Sequence, residues 1–256
     1  MDLGLGGKVA LITGATRGIG KAIAECFAAE GTNIAFCARD AEAVEQTSAA
    51  LREFGIDSFA QPADLSDETA IKNLVARTIA HFGRIDIVIS NVSALSLTDD
   101  EQAWQNMFTI DLLGAVRLFN ATLPYLQASG KQHGDAAFTI ISSIVAAEPY
   151  KPSPYSAMKA ALINYAKGAA RANAAQKVRC NVVSPGNVYF EGGVWQRMER
   201  ENPDFYKAWL DKNPSGRMAK AEEIASSVVF LSSPRSAFTT GTNLIVDGCL
   251  TQRAIY

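Results

Sequence analysis

The run Tyr155-Ser156-Ala157-Met158-Lys159 sets a phenol and an ammonium four residues apart within a stretch of helix-favouring residues. At that spacing two side chains share one helical face. A free phenol has a pKa of about 10 and a lysine of about 10.4. A cation held beside a phenol favours its ionised form, so such a pair is able to give or take a proton near neutral pH. That is the work of a general acid and base. Chance also produces such pairs, as a surface tyrosine above a solvated lysine. The elements around the pair must decide between the two readings.

Those elements alternate. Residues 9–13 read as a buried strand, followed by a glycine turn and a helix to about residue 30. Residues 33–38 read as a second strand, and 40–54 as a helix with Asp40 at its N-cap. A short strand at 58–61 precedes a helix at 67–81, and 85–90 is a fourth strand. A long helix is expected from about 100 to 128, ending near Pro124 or soon after. Residues 137–142 form a fifth strand, 153–174 the helix bearing Tyr155 and Lys159, 178–183 a sixth strand and 244–246 a seventh. Strands apolar on both faces and separated by helices imply a parallel sheet covered on both sides. The expected fold is therefore α/β, a single-domain doubly wound parallel sheet of Rossmann type over residues 1–256, with about seven strands and helices on both faces. The segment at about 188–215 breaks the rhythm. It carries Phe190, Trp195, Phe205, Tyr206 and Trp209 and is bounded by Pro185-Gly186 and Pro214. It reads as an insertion over the carboxyl ends of the strands, either a lid over a substrate or a helix pair that contacts another subunit.

The stretch Thr13-Gly14-Ala15-Thr16-Arg17-Gly18-Ile19-Gly20 leaves the first strand and opens the first helix. Glycines 14, 18 and 20 allow a tight turn, a close backbone approach to a pyrophosphate and close helix packing. A helix N-terminus there offers free N–H groups and partial positive charge to a diphosphate. The end of the second strand bears on which dinucleotide is taken. An NAD site puts a carboxylate there for the adenosine 2′-hydroxyl. Here Phe36-Cys37-Ala38 is followed by Arg39, and Arg17 sits in the nearby turn. Two guanidiniums favour a 2′-phosphate, hence NADPH/NADP over NAD. Asp40 is the counter-argument, answered by its N-cap position.

Bulk composition narrows the partners. Hydrophobic residues make up 48% of 256, enough for a large core, and the net charge of −2 comes with no basic tract, so neither nucleic acid nor membrane is an expected partner. Cys26, Cys37, Cys180 and Cys249 are scattered without a Cys-x-x-Cys pair, which suggests free thiols in a reducing cytoplasm. The first residues lack a basic-then-apolar signal pattern, and no apolar run approaches the ~20 residues a membrane span requires. His81 and His133 are the only histidines, which excludes a histidine-rich metal site.

With the glycine turn, the Tyr155/Lys159 pair and Ile141-Ser142-Ser143 before it, the whole chain resembles the short-chain dehydrogenase/reductase family, including members of the 3-oxoacyl-carrier-protein reductase type. Arg179-Cys180-Asn181 and Pro185-Gly186 resemble its segment around the nicotinamide; Gly216-Arg217-Met218, Glu222 to Ala225 and Val246-Asp247-Gly248 resemble its C-terminal signature. The resemblance implies carbonyl–alcohol interconversion by hydride transfer. Tyr155 is then the acid/base, Lys159 its partner and a ribose contact, and a serine the donor to the substrate oxygen. Strand-end alignment selects Ser143, with Ser142 the alternative; strand faces alternate, so only one points at a substrate. Asp111 stands at the position of the family's fourth catalytic residue, an asparagine. Cofactor contacts are implied at Gly14, Thr16, Arg17, Gly18, Ile19, Gly20, Arg39, Asp64, Leu65, Asn91, Tyr155, Lys159, Pro185, Gly186 and Val188. A small-molecule carbonyl or alcohol substrate and a homotetramer or homodimer are implied as well.

Four positions depart from that pattern. Ser93 replaces a glycine after Asn91, Asp111 the asparagine, Phe190 a threonine after Pro185-Gly186, and Cys249 the last glycine of Asp-Gly-Gly. The aspartate would pair with Lys159 and weaken its influence on the phenol. Two alternatives therefore stay beside the NADPH-dependent reductase: a cofactor-binding sensor or structural subunit with weak catalysis, and an NAD-dependent alcohol dehydrogenase.

Overall fold

The computed structural model describes residues 1–254. Seven strands pair in parallel in the order β3-β2-β1-β4-β5-β6-β7. They are β1 (Val9–Thr13), β2 (Asn33–Ala38), β3 (Ser58–Pro62), β4 (Ile87–Ser90), β5 (Ala136–Ile141), β6 (Val178–Pro185) and β7 (Asn243–Val246). The alternation of side chains explains why these runs are apolar throughout. Ala10 and Ile12 of β1 face one core while Leu11 faces the other; Ile34 and Phe36 of β2 oppose Ala35 and Cys37 in the same way.

Three helices cover the first face: α1 (Gly18–Ala29), α2 (Ala41–Arg52) and α9 (Ala221–Ser232), through Ile23, Phe27, Leu51, Ile224 and Val228. On the second face lie α3 (Glu68–Phe82), α5 (Gly114–His133) and α6 (Pro154–Asn173), through Ile71, Leu74, Leu118, Leu126 and Leu162. The remaining helices are α4 (Glu101–Asn106), which leads into α5, and the short pair α7 (Val194–Glu201) and α8 (Pro203–Leu210). Asp40 caps α2 as the sequence implies, its Oδ1 accepting from the Ala43 amide at 3.0 Å.

The structure corrects three sequence expectations. The long helix does not end near Pro124: α5 runs through it to His133. Asn120 and Pro124 are both exposed, so the carbonyl that the proline leaves without its helical partner lies on the solvent side of the helix. The same helix is interrupted earlier, where residues Met107–Leu113 widen into a π-helical turn between α4 and α5. The element list also omitted α9, whose mixed Ala-Glu-Ser composition hides a buried stripe.

The two ends of the sheet differ in kind. At the amino end, Arg179 is buried and donates to Asp135 at 2.7 and 3.1 Å, to the carbonyls of Leu231 and Ser233, and to Ser236. Asn181 closes the β6–β7 connection through the Thr239 carbonyl and the Thr242 amide. Both residues are thus structural, which corrects their assignment to the nicotinamide segment. The carboxyl end carries the candidate site.

Candidate active site

Lys159 lies one turn beyond Tyr155 on α6, and its Nζ stands 5.6 Å from the centre of the tyrosine ring. Ser153 caps this helix and Pro154 occupies its first turn, which fixes where the helix starts and so where Tyr155 stands. The phenol is half-buried; the lysine is 2% exposed. Its ammonium donates to the Ile141 carbonyl at 3.0 Å and faces Asp111 Oδ1 at 3.1 Å. The contact with Oδ1 is electrostatic, since that oxygen lacks a directed hydrogen bond. Of the ammonium's three protons one is directed at the Ile141 carbonyl, so donor capacity remains for the phenol or a bound ribose.

Asp111 sits in the π-helical turn, 2% exposed, and its Oδ2 accepts from the Ala94 amide at 2.8 Å. It therefore ties Lys159 to the loop after β4. In that loop Ser93 Oγ accepts from the Leu95 amide at 3.1 Å, and Leu95 takes a left-handed φ of +50°.

The two serines after β5 part as alternation requires. Ser142 is buried and donates to the Lys159 carbonyl at 2.9 Å. Its hydroxyl is committed to the α6 backbone. Ser143 is half-exposed and caps the short 3₁₀ turn Ile144–Ala146, a weaker tie of 3.4 Å to the Val145 amide. Ser143 is the serine free to meet a ligand.

The glycine turn has the shape of a cradle. Gly14 (φ +72°) follows β1, and its amide donates to the Cys37 carbonyl at 2.8 Å. A Cβ at Gly20 would stand 2.0 Å from the Gly14 carbonyl oxygen, and one at Gly14 would stand 2.9 Å from Val92. Asn91 clasps the turn, its Nδ2 donating to the carbonyls of Thr13 and Gly14 at 3.0 and 3.1 Å. Helix α1 has no side-chain cap, unlike α2, α3, α4, α6 and α8. Its N–H groups, beside Thr16 and Ile19, stay open to an anion. This cradle fits the diphosphate of a dinucleotide.

Around the cradle, Arg17 and Arg39 are exposed and make no ion pair among the described residues. Asp64 accepts from the Ser66 amide at 2.8 Å; that bond and the nearby Arg39 charge hold its carboxyl below the usual range. Leu65 is buried behind it. Pro185 ends β6 and Gly186 follows it, approaching Asp247 so closely that a Cβ would stand 2.8 Å from the Asp247 Cα. Val188 bridges to Ala219.

Above the site, α7 and α8 join through aromatic side chains. Trp195 stacks on Phe205 at 6.1 Å, Trp209 lies 6.0 Å from Trp195, and Tyr150 meets Trp209 at 5.3 Å. The segment thus leans on the loop that follows Ser143. From the other side Glu148 of that loop accepts from the Gln252 and Arg253 amides at 3.2 Å. Sequence reasoning did not single out Glu148, which carries no motif. It also passed over Asn187, buried between Gly186 and Val188 with an amide nitrogen that finds no partner among the described residues.

Comparison with known proteins adds to this geometry. The profile of a family described as Enoyl-(Acyl carrier protein) reductase matches residues 14–251. Isoepoxydon dehydrogenase patN of Penicillium expansum is 32% identical over 97% of this chain and 96% of its own length. The 3-oxoacyl-[acyl-carrier-protein] reductase FabG of Escherichia coli is 32% identical over 94% of this chain and 96% of its own. Among solved structures, L-sorbose reductase from Gluconobacter frateurii, complexed with NADPH and L-sorbose, superposes with a TM-score of 0.88 at 30% identity over 97% and 98% of the two chains. An NADH-dependent reductase responsible for alginate metabolism reaches 0.86 at 26% identity over 98% and 100%.

Proposed function

Since the chain belongs to the short-chain dehydrogenase/reductase family, an oxidoreductase family, we propose that it interconverts a carbonyl and a secondary alcohol with NADP(H) as the preferred cofactor. One observation carries the reading: Tyr155 and Lys159 lie on one face of α6, with Ser143 at the end of β5 left free to meet a ligand.

The cofactor supplies or takes the hydride. Gly14, Thr16, Gly18, Ile19 and Gly20 would hold its diphosphate. Asp64 and Leu65 would hold the adenine end, and Arg17 and Arg39 a 2′-phosphate. Asn91, Pro185, Gly186 and Val188 would border the nicotinamide half. In reduction, Tyr155 gives its proton to the carbonyl oxygen while Ser143 donates a hydrogen bond to the same oxygen. In oxidation, the phenolate takes the proton back. Lys159 holds positive charge beside the phenol and keeps one donor direction for the ribose. Asp111 fixes the lysine and offsets part of its charge.

The aromatic side chains of α7 and α8 and Tyr150 support an apolar or cyclic substrate, with the helix pair as its lid. Self-association as a dimer or tetramer through the faces of α5 and α6 belongs to the same reading. On the α4–α5 side Trp104 and Phe108 are 38% and 45% exposed, more than water favours for such large apolar groups.

A second reading, a cofactor-binding subunit with slow turnover, is favoured by the buried Asp111–Lys159 pair alone. Turnover of a cyclic-ketone panel with NADPH and with NADH, beside fluorescence titration of both nucleotides, separates the readings. Turnover with NADPH supports the reductase. Tight binding without turnover supports the subunit, and preferential use of NADH removes the role given to Arg17 and Arg39.

A further inference from the structure

Between β6 and α7 the chain turns on adjacent glycines. Gly192 takes φ +70°, and the Gly193 amide donates to the Phe190 carbonyl at 3.0 Å. The half-buried ring of Phe190 lies between two glycines from different parts of the molecule. Gly18 (φ +54°), the first residue of α1, is on one side; a Cβ there would stand 2.6 Å from ring atoms Cε2 and Cζ. Gly193, the N-cap of α7, is on the other; a Cβ there would stand 3.0 Å from Cε2 and 3.1 Å from Cδ2. Both glycines meet the ring around Cε2 and Cδ2, where a side chain on either would collide with it. It therefore spans from the turn that opens α1 to the first residue of the aromatic helix pair.

The consequence is mechanical. Close-packed groups transmit displacement instead of absorbing it. Trp195 of α7 stacks on Phe205 of α8, so the two helices move together. Because the ring is in contact with both Gly18 and Gly193, a shift of the ring at Gly18 also changes its contact with Gly193, and through it the seat of both helices. A threonine at this position would bring a hydroxyl to the turn, and its short side chain would not bridge the two glycines.

We propose that Phe190 is a positioning residue: occupancy of the glycine turn by a dinucleotide diphosphate sets the position of α7 and α8 through its ring. This rests on the dinucleotide-binding reading above. A ligand shifts an equilibrium only by as much as it distinguishes the two states, and the Phe190–Gly18 contact is that distinction. The coupling is reciprocal, so closing the helix pair over a substrate changes nucleotide affinity by the same factor.

Amide hydrogen exchange across residues 194–210, with and without NADPH, tests the proposal on the wild type, Phe190→Thr and Phe190→Leu. NADPH affinity is measured in parallel by fluorescence titration. In the wild type, saturating NADPH is expected to change exchange in α7 and α8 by at least about fivefold, the low end of ordinary coupling. In Phe190→Thr the nucleotide still protects α1 while the response of α7 and α8 disappears; Phe190→Leu keeps part of it. Should the threonine variant fail to fold, the leucine variant carries the comparison. An undiminished response of α7 and α8 in the variants overturns the proposal and leaves the reductase reading standing. Failure of wild-type protein to bind either NADPH or NADH overturns both.

Discussion

Asp111 and Lys159 form an ion pair inside the protein, Oδ1 3.1 Å from Nζ, and the same carboxylate holds the Ala94 amide with its other oxygen. One residue thus joins the proposed proton-transfer pair to the loop after β4. Asp111→Asn keeps an acceptor for Ala94 and removes the negative charge. Without that charge the ammonium favours the phenolate more strongly, so the acid limb of the oxidation profile is expected to move to lower pH, with a higher rate. A pH–rate profile that superposes on the wild type would exclude Asp111 from proton transfer. Asp111→Ala leaves a buried cation without its partner and is expected to cost about 3–5 kcal/mol in urea unfolding.

The serines at the end of β5 make opposite predictions. Ser143→Ala removes the free hydroxyl and is expected to lower kcat by about 10²-fold or more, as loss of one oxyanion donor does. Ser142→Ala removes a buried bond to the Lys159 carbonyl. It is expected to cost about 1 kcal/mol of stability while leaving kcat nearly unchanged. Steady-state kinetics beside denaturant melts of both variants provide the check, and a reversed pattern would assign the donor to Ser142.

In the proposed reading, nucleotide choice rests on two exposed guanidiniums, Arg17 and Arg39. Arg39→Asp is expected to weaken NADPH binding by about 10–100-fold, the worth of a lost charge-assisted bond, while NADH binding holds or improves. Fluorescence titration with both nucleotides measures the ratio. An NADPH affinity that survives the substitution would move the 2′-phosphate elsewhere.

Cys249 follows Gly248 with a left-handed φ of +66°. That conformation costs a residue bearing a Cβ roughly 1–2 kcal/mol, partly offset by the extra freedom glycine has in the unfolded chain. Cys249→Gly is therefore expected to stabilise the protein by about 0.5–1 kcal/mol. A lower melting temperature would mean that the thiol makes compensating contacts.

Burial pushes the Cys37 and Cys180 thiols up to about 12. In the unfolded chain a thiol ionises near 8.5. Below that value both states hold the proton and the stability is intact. Above it only the unfolded state loses the proton, so stability falls from about pH 9 toward 12, at up to about 1.4 kcal/mol per thiol per pH unit. Urea melts between pH 7 and 10.5 should follow this slope. Alkylation of folded protein at pH 8 should mark the exposed Cys249 first and spare Cys37 and Cys180.

The sheet was legible because its strands are buried on both faces, so apolar runs such as Val9–Thr13 announce themselves without periodicity. The glycine turn was legible because backbone geometry at Gly14 and Gly20 admits no Cβ. The spacing of Tyr155 and Lys159 marked them as candidates, and only the glycine turn and the strand–helix order around them set the pair apart from a chance surface pair. The π-helical turn around Asp111 was not legible, since nothing local in the sequence distinguishes it from α-helix. Helix α9 was hidden by serines and glutamates on its outer side, and α5 by a proline whose cost the solvent-facing surface reduces. Arg179 misled through adjacence: it shares a strand with Pro185, and the strand's length carries it to the far rim of the sheet.

That far rim has a further consequence. Arg179 gathers Asp135, Ser236 and the carbonyls that end α9 into one knot, at the edge remote from the proposed chemistry. Anchorage is concentrated where no ligand is needed, which leaves the opposite rim at liberty to change. Helices α7 and α8 bury no residue in the core and could be exchanged for another loop without loosening the scaffold, so selection, or an engineer, can alter what this fold accepts without first having to rebuild it.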